Sequence, residues 1–174
     1  MKVFFDATVW CGALLNPFGP NGKLLDLAST GGPLKGVTSD VVLLETYRHA
    51  VQGDLGHVFD PDDVWAYVDA HRPLLDISQA PIGRALPKRT DLHNLAIGAI
   101  VYELTGRSRE DMLKDLAQQA TLPNFDAHDL HVVAASYAAG AEVLCSSDRG
   151  FFKQSLGALI PHRPTDLAHE YGLI

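Results

Sequence analysis

The stretch 126–152, DAHDLHVVAASYAAGAEVLCSSDRGFF, constrains the fold more than any other part of the chain. It reads as a helix, a glycine stop and a strand, with carboxylates at both ends. Leu130, Val133, Ala134, Tyr137, Ala138 and Ala141 recur at the period of a helix with one buried stripe. Asp126 stands where an N-cap belongs, Asp129 supplies the acidic partner of a capping box, and Gly140 offers the left-handed residue that ends a helix. Residues 142–145 then predict a buried strand, and Ser146, Ser147 and Asp148 bring hydroxyls and a carboxylate to its C-terminal end.

The same punctuation is visible upstream. Residues 2–5 are a β-rich run that ends at Asp6, followed by a turn and an apolar helical segment over 9–15. Residues 17–22 read as a loop, 22–29 as a helix and 36–38 as a second strand. Ser39 or Asp40 caps a helix over 41–51 that carries Glu45, placed by this reading in its first turn, as Asp129 is in its own. Asp60 caps a helix over 61–71, and residues 74–77 predict a third strand. Beyond it, Arg84, Lys88 and Arg89 lie among prolines and a glycine in a basic loop, and residues 91–104 and 108–122 predict a helical hairpin. A strand near 159–160 and a helix after 164–166 close the chain.

Strands that alternate with helices predict an α/β domain with a mostly parallel sheet, in which ligands bind beyond the carboxyl ends of the strands. Asp6 and Asp148 follow strands directly, and Glu45 and Asp129 sit on helices that follow or precede strands. All four carboxylates therefore have a route to one edge of the sheet.

Size and composition narrow the options. A chain of 174 residues, 47% of them apolar, is expected to fold as one domain over 1–174 with a helical elaboration at about 60–122. The longest apolar run, 95–102, is too short to cross a bilayer, and the N-terminus enters a strand with no leader, so the expectation is a cytoplasmic protein with no membrane partner. Cys11 and Cys145 lie apart in apolar segments and read as buried small hydrophobes. With 21 Asp and Glu against 14 Lys and Arg, the net charge of −7 argues against a protein that coats nucleic acid through surface cations. It does not argue against a nuclease, because a site for divalent cations must itself be rich in carboxylates.

Four converging carboxylates repel one another and raise one another's pKa, so such a cluster is costly without a cation. Magnesium or manganese, one ion or two, suits oxygen donors of this kind and would bridge them to substrate phosphates. The chemistry that follows is phosphodiester hydrolysis.

These residues resemble the PIN-domain nucleases, and within them the VapC-like toxins of type II toxin-antitoxin pairs. VFFDATVW resembles the family's opening strand and Asp-x-[Asn/Ser/Thr], and VTSDVVLLETYRHA its second strand and helix with an internal Glu. DAHDLHVVAASYAAGAEVL resembles its Asp-led helix of small residues, and SSDRGFF its terminal Thr-x-Asp-x-x-Phe. The resemblance implies a three-layer α/β/α fold with a mostly parallel central sheet and, here, an extended helical middle region. It also implies an Mg²⁺- or Mn²⁺-dependent endoribonuclease with Asp6, Glu45, Asp129 and Asp148 as catalytic, metal-binding carboxylates and Thr8 and Ser146 as supporting hydroxyls. The implied partners are an RNA substrate, a cognate antitoxin and a second copy of the chain. Ser146 and Thr8 depart mildly from the commoner residues at their places, and the region from 59 to 123 is longer than in compact members.

Each of these residues also has a plainer reading. Asp126 is more simply a helix cap than a supporting ligand, Asp129 also completes a capping box, and Glu45 also pairs with His49 at i+4. Arg84, Lys88, Arg89 and Arg149 are phosphate-contact candidates or solvated loop cations. His128 and His131 flank Asp129 as in an HD phosphohydrolase, but the strands disfavour that all-helical fold. Asp6 after the first strand suits a haloacid dehalogenase-like phosphatase, but Thr8 stands where that family has a second Asp. Two other roles stay open at this point: a housekeeping RNA- or DNA-processing nuclease on the same fold, and a non-catalytic module whose acidic edge docks a basic peptide.

Overall fold

β1 (Lys2–Phe5) lies at the centre of a parallel sheet, with Phe4 and Phe5 fully buried. The computed structural model of the chain describes residues 1–71, 76–78, 130–153 and 156–174. β1 pairs on one side with β2 (Lys35–Ser39), which pairs with β3 (Asp76–Ser78). On the other side it pairs with β4 (Val143–Cys145), which pairs with β5 (Ile160–His162). Among the described residues, five strands run in the order β3-β2-β1-β4-β5, and each of these pairings is parallel.

The chain moves outward from β1 to β3 and then returns to start again on the far side of β1. Parallel crossovers are right-handed, so this reversal puts the two sets of crossovers on opposite faces of the sheet. It also leaves a crevice at the reversal, between the C-terminal ends of β1 and β4, where sheets of this kind bind ligands.

α1 (Ala7–Leu15) begins directly after Asp6, with no intervening turn, because Asp6 is its N-cap and accepts from Ala7 N at 2.7 Å. α2 (Pro20–Ser29) begins two residues earlier than its sequence suggests. Pro20 occupies the first turn, where a missing N–H costs nothing, so a proline read as loop is a helix start. Gly22 is required by close approach: a Cβ there would lie 1.9 Å from the Pro17 carbonyl oxygen. Ser39 caps α3 (Asp40–Val51), its hydroxyl accepting from Val42 N at 3.3 Å. Asp60 opens α4 (Pro61–His71), accepting from Asp62 N at 2.8 Å.

α5 (Leu130–Ala138) ends as expected, with Gly140 at φ 64, Gly140 N donating to Tyr137 O and Ala141 N to Ser136 O, both at 2.9 Å. Its buried surface differs from the single stripe that the spacing predicts. Val132, Val133, Ala135 and Ser136 are buried, whereas Tyr137 is 43% exposed and donates its hydroxyl to Leu156 O. Small residues let more than one side of this helix be covered, and the tyrosine reaches out to an acceptor. α6 (Pro164–Glu170) also starts on a proline, again earlier than its sequence suggests.

The core gathers Phe4, Phe5, Trp10, Leu24, Leu25, Leu144, Phe151 and Leu167 around the sheet. Trp65 packs half-buried against Tyr47, with ring centroids 4.9 Å apart. Cys11 and Cys145 are buried free thiols. Among the described residues, no helix is long and apolar enough to cross a membrane. The basic loop, the hairpin over 91–122 and the Asp126–Asp129 start of α5 lie outside the described residues.

Candidate active site

Asp6, Thr8, Glu45 and Asp148 line one open cavity of about 380 Å³, together with Ala7, Cys11, His49, Asp54 and Leu55. The sheet explains the meeting. Asp6 leaves the end of β1 and Ser146 and Asp148 leave the end of β4, the two strands on either side of the topological reversal. Asp6 N donates to Cys145 O at 3.2 Å, which extends the ladder to the rim of the cavity.

Asp6 is the most constrained member. It is 5% exposed, and its Oδ2 accepts from Ser146 Oγ at 2.7 Å and from Thr8 Oγ1 at 3.1 Å. Those two hydroxyls lie 3.2 Å apart and also receive backbone donors: Ser147 N to Thr8 Oγ1 at 2.9 Å, Asp148 N to Ser146 Oγ at 3.0 Å. Gly150 N donates to Asp148 Oδ1 at 2.6 Å and fixes the second carboxylate. Burial pushes the Asp6 pKa up to about 6, and the charge on Glu45 adds to the rise. The bonds from Ser146, Ala7 and Thr8 oppose it without cancelling it.

Glu45 arrives from α3, but as the sixth residue of the helix and so in its second turn, not the first. Ser39 caps the helix more than one turn before Glu45, so the helix N-terminus does little to favour this carboxylate's charge. Glu45 Oε1 lies 3.7 Å from His49 Nε2 and 4.0 Å from Arg48 Nη2. Asp54 Oδ2 lies 2.9 Å from His49 Nδ1, and Arg48 Nη2 lies 3.0 Å from Nε2. In the neutral ring, a guanidinium that only donates makes Nε2 its acceptor and puts the proton on Nδ1, toward Asp54. Glu45 pulls the His49 pKa upward, against burial and with help from Asp54.

His49 and Asp54 are the residues that sequence reasoning misses as site members. His49 figures there only as the i+4 partner of Glu45. Asp54 has no signal of its own, because it reaches the cavity through a turn at Gly53 (φ 77) in which Asp54 N donates to His49 O at 3.2 Å. Cys11 also lines the cavity, but burial pushes its thiol up to about 12 and the charges of Glu45 and Asp6 act in the same direction. It is no nucleophile near neutral pH.

Asp126 and Asp129 lie outside the described residues, as do Arg84, Lys88 and Arg89. Arg149 is exposed, one residue past Asp148. Among the described residues, no group of three or more His, Cys, Asp or Glu side chains is arranged to hold a metal ion. The donors that do face the cavity are mostly carboxylate oxygens, which suit a hard cation. A buried Asp6 with its pKa raised beside a second carboxylate is a group that an adjacent cation would relieve.

No protein-family model and no curated protein matches the sequence. Solved structures do match. A chain of the VapBC2 complex from Rickettsia felis, bound to a DNA fragment from its promoter, superposes with a TM-score of 0.57 at 14% identity, over 94% of this chain and 98% of that one. VapC20 of Mycobacterium tuberculosis, a toxin that cleaves the sarcin-ricin loop, gives a TM-score of 0.46 at 16% identity over 87% and 93%. Only the first likeness carries weight, and at that identity it concerns architecture. The chain has the PIN-like α/β fold found in VapC-like proteins, as its motifs imply.

Proposed function

We propose that the protein is a divalent-metal-dependent endoribonuclease, the toxin of a type II toxin-antitoxin pair. The observation that carries this reading is the convergence of Asp6, Glu45 and Asp148 on one cavity at the reversal point of a PIN-like sheet. The similarity to a chain of a VapBC complex supports a cognate antitoxin as partner.

Asp6, Glu45 and Asp148, with Asp129 by resemblance, would hold one or two Mg²⁺ or Mn²⁺ ions. Bound there, a divalent cation supplies the charge that activates water and offsets charge on the phosphate during phosphodiester hydrolysis. The chain's own residues prepare that site. Ser146 and Thr8 orient Asp6 and keep its charge from being still costlier, and Gly150 N fixes Asp148. Asp54 aligns His49, whose ring flanks Glu45. By resemblance the products carry 5′-phosphate and 3′-hydroxyl ends. On this reading the chain acts as one domain, with a helical elaboration at about 60–122.

Calorimetric titration with Mn²⁺ tests the reading: a binding isotherm that disappears in Asp6→Asn is the expected result. A folded protein that binds no Mn²⁺ would instead be a non-catalytic module. Growth arrest on expression, relieved by the neighbouring gene, distinguishes a toxin from a processing nuclease.

A further inference from the structure

The cavity that would cut RNA is lined by Asp6, Glu45, Asp54 and Asp148, and the whole chain carries a net charge of −7. A polyanion held only by this surface would be repelled except at the metal itself, so strand binding needs cations placed close by but outside the cavity. Several described cations are already engaged. Lys2 Nζ donates to Ala139 O at 2.8 Å, Lys23 Nζ donates to Leu173 O at 2.8 Å, and Arg48 lies against Glu45 and His49.

Three others lie on two segments that meet at one edge of the sheet. Arg149 and Lys153 belong to the segment after β4 that also carries Asp148, and Arg163 is the residue after β5. All three are exposed, and none ion-pairs among the described residues. The two segments are tied together. Cys145 and His162 are register partners at the ends of β4 and β5, and Ser146 N donates to His162 O at 3.0 Å. Ser146 is the residue whose hydroxyl donates to Asp6 Oδ2. Arg163 therefore follows directly on a residue bonded to Ser146, which itself touches the central carboxylate.

The Arg163 guanidinium also lies over the half-buried Phe152 ring, 5.4 Å from its centroid. An arginine held over an aromatic ring is a pre-ordered platform: it binds phosphate by charge, and bases stack on guanidinium and aromatic planes alike. The same edge also carries acids: Glu170, whose Oε1 lies 3.5 Å from His162 Nδ1, and Asp166 in the first turn of the helix that Arg163 caps.

Building on the nuclease reading, we propose that the RNA strand runs from the acidic cavity across the C-terminal ends of β4 and β5, with Arg163 and Phe152 forming a stacking and phosphate subsite flanked by Arg149 and Lys153. Stacking of this kind tolerates any base, so the subsite sets the direction and grip of the strand and leaves base identity to other surfaces.

The test is binding of a fluorescent single-stranded 12-nucleotide RNA of mixed sequence to full-length Asp6→Asn protein in Mg²⁺, over a range of salt. In that background Phe152→Leu is expected to weaken binding about tenfold with the salt slope unchanged, since stacking contributes about 1–3 kcal/mol per base. Arg163→Gln is expected to weaken it by at least as much and to lower the slope by about 0.7, the single-strand value for one phosphate contact. Arg163→Lys should keep the slope and lose part of the affinity, which separates charge from stacking. Thermal melts of each variant establish that they fold. Parental affinity and slope in both Phe152→Leu and Arg163→Gln would overturn the subsite while leaving the nuclease reading intact, provided the unmutated protein cleaves RNA. No RNA binding by the Asp6→Asn parent, with no cleavage by the unmutated protein, would overturn both.

Discussion

Ser146 Oγ donates to Asp6 Oδ2 at 2.7 Å, joining residues 140 positions apart in sequence across the end of β1 and β4. The same hydroxyl accepts from Asp148 N at 3.0 Å, so one small side chain holds two of the three described carboxylates proposed as metal ligands. Ser146→Ala removes a bond to a buried charge and leaves Asp6 more poorly solvated. The expected cost is about 1–3 kcal/mol of stability, with a further rise in the Asp6 pKa, weaker Mn²⁺ affinity and slower cleavage. Chemical denaturation and calorimetry check the two halves separately.

Asp6 also sets a pH dependence whose sign is opposite to that of a salt-bridged carboxylate. Its folded pKa, about 6, lies above its ordinary value of 3.8, chiefly because of burial. The protonated form is therefore favoured by folding. That contribution is fully present below about pH 4 and is lost as pH rises through about 6. In EDTA, the stability of the natural protein relative to Asp6→Asn should fall by about 2.5 kcal/mol between pH 4 and pH 8, because each pH unit separating the folded and unfolded pKa values is worth roughly 1.4 kcal/mol and the unfolded carboxyl is already partly ionised at pH 4. Urea unfolding at both pH values measures the difference. Saturating Mn²⁺ at pH 8 should raise the melting temperature of the natural protein and leave that of Asp6→Asn unchanged.

Glu45 acts on its neighbours in two directions at once. Its carboxylate raises the His49 pKa and adds to the rise at Asp6. Glu45→Gln should lower both. Imidazole chemical shifts followed through a pH titration report His49, and the prediction fails if its midpoint stays where it was.

Gly22 is fixed by the backbone of the preceding loop. A methyl group there would meet the Pro17 carbonyl at 1.9 Å, a contact that no rotamer change relieves. Gly22→Ala is expected to destabilise the protein by about 1–3 kcal/mol, read from the urea midpoint at unchanged slope, despite alanine's higher helix propensity.

Much of the architecture is legible in local chemistry. Caps at Ser39 and Asp60 and the stop at Gly140 mark their elements correctly, and Asp6 and Asp148, which follow β1 and β4, line one cavity with Glu45. The differences have physical causes. Prolines at 20 and 164 start helices, a role that composition alone does not separate from a loop. The buried faces of α5 follow from packing on several sides, which a single stripe does not encode. The sequence reading puts Glu45 one turn too early, since with either Ser39 or Asp40 as the cap it lies beyond the first turn of about 3.6 residues of the helix. Asp54 is invisible to motif reasoning, since only the turn at Gly53 carries it back to His49. Conversely, Asp129 stands out in the sequence but lies outside the described residues, so its role stands on the resemblance.

The most direct measurement is cleavage of a single-stranded RNA by the purified protein with Mn²⁺ or Mg²⁺, compared with EDTA and with Asp6→Asn, Glu45→Gln, Asp129→Asn and Asp148→Asn. The account predicts metal-dependent endonucleolytic products with 5′-phosphate ends, and a loss of at least about a hundredfold in each variant, the scale expected when a group that stabilises transition-state charge is removed. Cleavage that persists in EDTA, or that survives unchanged in Asp6→Asn and Asp129→Asn, would contradict it.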